Sequence, residues 1–189
     1  MHFCSLLARG TAGLSLVSLA ACGPSLETLH AAAHTGVMPE HAPSLHATQA
    51  VTIAAPPADV WAVLTDLPQW SAWHPAIRSA SLSAPLALDV PFVWNQEGTL
   101  IHSRFALVDS ARTLAWTGRV SVASAVHIWR LNAADGGTRV QVEESRWGPG
   151  LRLFYSRTKL DANVDAWLRD LKREAERRAG TSPRSGVPR

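Results

Sequence analysis

Six consecutive segments, 77–83, 90–96, 99–109, 112–120, 123–133 and 138–147, are rich in β-branched and aromatic residues and are joined by short connectors. Turn signals stand between or after them at Asp109-Ser110, from Asn132 to Gly137, and at Gly148-Pro149-Gly150. Parallel neighbours need a crossover of roughly a dozen residues or more, so connectors this short predict antiparallel hairpins. Ahead of them, Val51 and Ile53 alternate with polar neighbours in a strand over 49–53, which Pro56-Pro57 ends. A short helix over 58–66 then carries the apolar stripe Val60, Leu64 and Leu67. A second short helix or turn over 69–73 stops at His74-Pro75, because proline disfavours helical geometry in the residue before it. The last segment, 151–178, places Leu160, Val164, Trp167, Leu168, Leu171 and Ala175 at steps of three and four. That spacing predicts a helix with one buried stripe, roughly 40 Å long at about 1.5 Å per residue. The fold class is α+β: an antiparallel sheet of about seven strands, two short helices after the first strand, and a long C-terminal helix.

With 189 residues, 47% hydrophobic and 17% charged, the chain can bury one domain-sized core. Eight Trp against one Tyr and four Phe favour a cavity or an interface, since indole is bulky, amphipathic and wants its N–H paired. The formal charge is only +3, and Arg177, Arg178, Arg184 and Arg189 crowd the C-terminal end, so no broad basic face for nucleic acid is expected. Cys4 and Cys22 both precede the domain, which removes thiol chemistry from it.

Residues 1–21 carry Arg9 and an apolar run from Thr11 to Ala21, ending in Leu19-Ala20-Ala21-Cys22. Small residues before a cysteine in this setting resemble a lipobox, which implies a lipoprotein-type signal peptide, cleavage before Cys22 and its acylation. The protein would then be lipid-anchored at the bacterial cell envelope, the acyl chains contributing about 0.8 kcal/mol per buried CH₂. If translation starts at Met38 instead, the protein is cytoplasmic. Residues 22–47 read as a flexible tether and 179–189 as a disordered tail. His30, His34, His41 and His46 are scattered along the tether without acidic or cysteine partners, which reads as linker; neither a metal nor a cofactor is expected.

The stretch Ala54, Pro56, Asp59-Val60-Trp61, Val63-Leu64 and Asp66, followed by Trp70, Trp73 and Pro75, resembles the opening of polyketide cyclase/dehydrase-like proteins of the START (SRPBCC) superfamily. Leu114 to Gly118, His127-Ile128-Trp129, Gly137 to Val140, Glu143-Glu144-Ser145, Trp167-Leu168 and Leu171-Lys172 follow in the order and spacing seen there. The resemblance covers 48–178 and implies the helix-grip fold of birch-pollen-allergen-like proteins, in which a curved sheet wraps the last helix around a cavity. Such a fold hosts binders and enzymes alike, so it does not name a reaction.

Alternate residues of a strand share a face. That parity groups His127, Trp129 and Leu131; Leu114, Trp116 and Gly118; Val140, Val142 and Glu144; Ile101, Ser103, Phe105 and Leu107; and Phe92, Trp94 and Gln96. These sets are expected on the concave face, with Arg104 and Arg130 on a wet outer face and Glu143 solvated there, within reach of Arg130 or Arg139. The expected ligand cavity comprises Trp94, Ser103, Phe105, Trp116, His127, Trp129, Glu144 and Trp167, with Trp70 and Trp73 at its mouth or anchoring their helix to the sheet. Ordinary packing of the indoles against the last helix is the competing expectation.

His127 and Glu144 are the inward titratable pair, read either as acid–base partners or as a self-satisfying buried pair. HExxH, CxxC, GxSxG and phosphate-cradling glycine motifs are absent from the sequence. The first functional reading is a binding or carrier module for a lipid-like or polycyclic aromatic molecule. A cyclase- or dehydratase-type enzyme using His127 and Glu144 is the second, and a protein-interaction domain using its outer surface the third.

Overall fold

The computed structural model describes residues 23–121 and 123–181. In chain order the elements are α1 (Leu26–Ala33), β1 (Leu45–Ile53), α2 (Pro57–Thr65), a 3₁₀ turn (Leu67–Gln69), α3 (Trp70–Trp73), β2 (Ile77–Leu82), β3 (Pro91–Gln96), β4 (Thr99–Asp109), β5 (Thr113–Val120), β6 (Ala123–Ala134), β7 (Gly137–Trp147), α4 (Leu151–Phe154) and α5 (Arg157–Thr181). The seven strands form one antiparallel sheet in the order β1-β7-β6-β5-β4-β3-β2. Consecutive hairpins run from β2 to β7, and β1 closes beside the last of them, from Leu45 opposite Arg146 to Ile53 opposite Thr138. Gly137 permits that closure. Its φ is +154°, and a Cβ there would stand 2.0 Å from the Ile53 carbonyl oxygen.

Pro57 at the first helical position starts α2 without sacrificing a hydrogen bond, and Val60, Val63 and Leu64 turn inward. On α5 the expected stripe of Leu160, Val164, Trp167, Leu168, Leu171 and Ala175 is buried throughout. Lys172 Nζ donates to the Thr52 carbonyl at 2.7 Å and the Ala54 N–H donates to Glu176 Oε1 at 2.8 Å, which fixes α5 along the end of β1. The helix-grip architecture read from the residues is the one observed.

Four expectations are corrected. The segment read as a low-order tether carries α1, capped by the Ser25 hydroxyl on the Thr28 N–H, and β1 begins at Leu45 rather than 49. Leu29 and Ala33 of α1 are fully buried against Ala106, Ala115, Val126 and Ile128. The outer face is therefore not uniformly wet: α1 covers it with a second small core, and Arg130 beneath donates to Glu143 at 2.9 Å and to the Gly36 carbonyl at 2.7 Å. Glu143 is accordingly half-buried rather than solvated, and of its two expected partners it is Arg130 that pairs with it. A register shift between Phe105 and Leu107 leaves Phe105 in the concave core and moves Leu107 to the outer one, where strict alternation had placed both inside. The C-terminal helix is broken: Tyr155 is extended and the Ser156 hydroxyl caps the new start by accepting from the Lys159 N–H at 3.1 Å. Cys4, Cys22 and residues 182–189 lie outside the described residues; no helix of the described part is long and apolar enough to cross a membrane.

Candidate functional site

Indoles fill the middle of the space between sheet and α5. Trp167 reaches from α5 into a ring of aromatic neighbours, with centroid separations of 5.0 Å to Trp70, 5.6 Å to Trp73, 6.0 Å to Trp94 and 6.0 Å to Trp129, and 4.2 Å to His74. Most are edge-on, the arrangement favoured by ring quadrupoles. Phe105 stacks on Phe92 at 4.5 Å, and Trp116 stacks on Trp129 at 6.0 Å. Trp70 is fully buried and donates its indole N–H to the Leu64 carbonyl at 2.9 Å. Trp70 and Trp73 therefore do not stand at a cavity mouth. Helix α3 is folded inward, because two indoles three residues apart on one helical turn bury far more apolar surface against Trp167 than at an edge.

What the indoles leave open is a cavity of about 290 Å³ at one end of the concave face. It lies near the β3–β4 and β5–β6 hairpins, under α4 and the first turn of α5. Trp94, Ile101 and Leu151 supply apolar wall, while His127, Arg146 and Tyr155 supply polar points. Its volume is at the low end of the roughly 300–1,000 Å³ usual for small-molecule sites. Of the residues expected to line a cavity, Trp94 and His127 do so. Phe105, Trp116, Trp129 and Trp167 belong to the filled core instead. Ser103 stands behind Trp94, accepting its indole N–H at 3.0 Å.

Glu144 stands behind His127, with Oε2 3.4 Å from the Nδ1 of His127 and Oε1 accepting from the Arg146 Nε at 2.5 Å. The Arg146 guanidinium in turn lies over the Tyr155 ring at 4.5 Å, and Tyr155 Oη accepts from the Asn163 amide at 2.5 Å. A chain of polar contacts thus runs His127, Glu144, Arg146, Tyr155, Asn163, and every member except Glu144 touches the cavity. Burial lowers the His127 pKa, outweighing the opposing pull of Glu144. Burial works to raise that of Glu144, but His127 while that ring is protonated, and the Arg146 charge and hydrogen bond throughout, carry it below the ordinary value. The arrangement is a neutral imidazole at the cavity wall, backed by an ionised carboxylate that a guanidinium holds. Chemically it can accept a proton from a bound molecule or take a hydrogen bond from its hydroxyl.

Arg146 and Tyr155 escaped sequence reading for different reasons. Arg146 shares the parity of Val142 and Glu144, so extending the alternation by one step would have found it. Tyr155 falls in a stretch read as continuous helix, and only the break at Ser156 turns its ring under Arg146.

A second buried pair lies on the far side of Trp167. His74 Nδ1 stands 2.7 Å from Asp170 Oδ2, and Arg173 donates to Asp170 Oδ1 at 2.6 Å. Burial lowers the His74 pKa as well, against the opposing effect of Asp170. Both imidazoles protonate in the unfolded chain near 6.5 but resist it when folded. Folded-state stability from these two groups is therefore full above that value and is lost as pH falls towards their folded pKa values. Chemical denaturation at about pH 7.5 and about pH 5.5 should show a lower unfolding free energy at the acid end, by at most about 1.4 kcal/mol per pH unit and histidine. A gain in stability on acidification would contradict the neutral assignment.

The sequence profile of the polyketide cyclase/dehydrase and lipid transport family matches residues 44–176. No curated protein matches the chain. Among solved structures, the Zhui aromatase/cyclase from Streptomyces sp. R1128 is similar at 24% identity and TM-score 0.58, over 75% of this chain and 98% of that one. Protein MLL2253 from Mesorhizobium loti is similar at 17% identity and TM-score 0.61, over 73% and 99%. Ara h 8.0201 is similar at 15% identity and TM-score 0.58, over 69% and 96%. At these identities the likeness is one of fold.

Proposed function

The chain belongs to the polyketide cyclase/dehydrase and lipid transport family, and from that premise we propose that its cavity binds a hydrophobic small molecule, lipid-like or polycyclic aromatic, as a carrier or binding module. The observation that carries this reading is the cavity itself: an apolar wall of Trp94, Ile101 and Leu151 closing on a few polar groups. A flat ring system fits against Trp94, with a hydroxyl, carbonyl or carboxylate towards His127 and Arg146. Leu153 and Phe154, 81% and 86% exposed on the same short helix as the cavity-lining Leu151, suit the approach of an apolar molecule. In this reading Cys22 carries the lipid that keeps the domain at the cell envelope, where such molecules are exchanged.

Native mass spectrometry of the purified protein, followed by extraction, tests it. The wild-type protein should carry a small apolar compound, and Ala125→Trp, which fills the cavity from the β6 wall, should lose it while remaining folded. Equal retention by both proteins, or none by the wild type, would count against binding in this cavity.

One observation favours an enzymatic variant of the same reading, namely His127 at the cavity wall with Glu144 behind it. The Zhui protein is named an aromatase/cyclase, which makes a proton transfer on a polyketide-like substrate the reaction to look for. Incubating the recovered compound with wild type and His127→Gln separates the two. Conversion by wild type alone supports catalysis, whereas an unchanged compound in both supports a carrier.

A further inference from the structure

On the opposite side of the sheet from the cavity, α1 and the loop before β3 bring together three groups that no motif of the sequence joins. His30 on α1 and His34 at its C-cap are one helical turn apart and share a face, their rings 4.8 Å apart. Asp89 meets them from the β2–β3 loop, its Oδ1 2.9 Å from His30 Nε2 and 3.9 Å from His34 Nε2. One ligand atom from each of the three lies within 4.8 Å of the others. We propose that His30, His34 and Asp89 form a binding site for a divalent transition-metal ion of the zinc class, which clamps α1 to the domain.

Two imidazoles and a carboxylate are a borderline-soft donor set of the kind that Zn²⁺ takes. Ligand atoms about 2.0–2.1 Å from a tetrahedral ion stand roughly 3.3 Å from one another. The two Asp89 separations bracket that figure and the third pair lies within 4.8 Å, so movement of the half-exposed His34 and the exposed Asp89 completes the geometry. A fourth position faces solvent on the same exposed side.

The second layer is in place. His30 is 3% exposed, and its Nδ1 lies 2.8 Å from the Thr117 hydroxyl of β5. A hydroxyl can donate to that nitrogen or accept from it. With Nε2 protonated, His30 donates to Asp89 and receives a hydrogen bond from Thr117. With the proton on Nδ1, Thr117 accepts it and the Nε2 lone pair is free for a metal, so the switch needs no rearrangement of the core and releases no proton. The Asp89 backbone is held for the purpose, its N–H donating to the Phe105 carbonyl at 2.9 Å. Arg104 is the opposing feature, its Nε 3.9 Å from Asp89 Oδ1, but its terminal nitrogen is engaged by Glu27 at 2.7 Å. An ion here would tie α1, at the very start of the domain, to a loop some 55 residues later.

Isothermal titration of Zn²⁺, with Co²⁺ absorption as the readout of imidazole ligation, tests this on the full chain freed of any histidine tag. The expected result is one ion per chain, a raised Tm with metal, and about tenfold or greater weakening in His34→Ala and in Asp89→Asn, both of which alter exposed side chains and leave the core intact. Thr117→Val should weaken binding by about 10–100-fold through His30 alone. Absence of binding, or binding of the same strength in His34→Ala and Asp89→Asn, would overturn the site and place any bound ion on the other histidines.

Discussion

Trp167→Ala should cost the domain about 3–5 kcal/mol of unfolding free energy, read from urea or guanidinium melts. The magnitude follows from position. Trp167 is 6% exposed and its ring is the one that Trp70, Trp73, Trp94 and Trp129 all face, so truncation removes the common neighbour of four indoles at once. None of those rings can move in to fill the gap without abandoning its own strand or helix. Relaxation is therefore small and the cavity term nearly full. Set against total stabilities of about 5–15 kcal/mol, a loss of this size leaves the fold marginal. A change below about 1 kcal/mol would mean that α5 does not pack through this residue.

Glu144→Ala should be comparably damaging, at about 3–5 kcal/mol, for an electrostatic reason. Glu144 is 4% exposed and is the carboxylate that Arg146 contacts. Removing it leaves the guanidinium largely buried against Tyr155 with no anion, and strips His127 of its partner. Glu143→Ala, one residue away on the outer face, should cost far less, since that carboxylate is more exposed and Arg130 keeps its bond to the Gly36 carbonyl. The double variant Glu144→Ala/Arg146→Leu should recover part of the loss, because the uncompensated charge goes with the guanidinium. Equal costs for Glu143→Ala and Glu144→Ala would show that the buried chain of contacts is not what holds β7 in place.

The two variants also separate what was legible from what was not. The packing of Trp167 follows from its place on a stripe with Leu160, Val164 and Leu171, a periodicity that any helix reading exposes. The partnership of His127 and Glu144 was legible from strand parity, and they stand directly opposite each other in the β6–β7 register. Arg146 as the third member was within reach of the same parity. The division of the six inward indoles between core and cavity was not, because alternation says which face a side chain takes and nothing about how far along a curved face the helix covers it.

The sequence by itself determined the order of the elements, the antiparallel sheet and the stripe of α5, because periods of two and 3.6 are local properties that survive without knowledge of the neighbours. Only the tertiary structure decided where the cavity lies. One end of the concave face stays open beneath α4, Tyr155 and the start of α5, while the inward fold of α3 fills the middle with Trp70 and Trp73. Only the tertiary structure, too, turned a histidine-bearing stretch without local partners into α1. Its helix is too short to persist alone and forms because Leu29 and Ala33 find Ala106, Ala115, Val126 and Ile128 across the sheet's outer face. Contacts between residues distant in sequence carry no period, so the assembly of His30, His34 and Asp89 had no local signature to read.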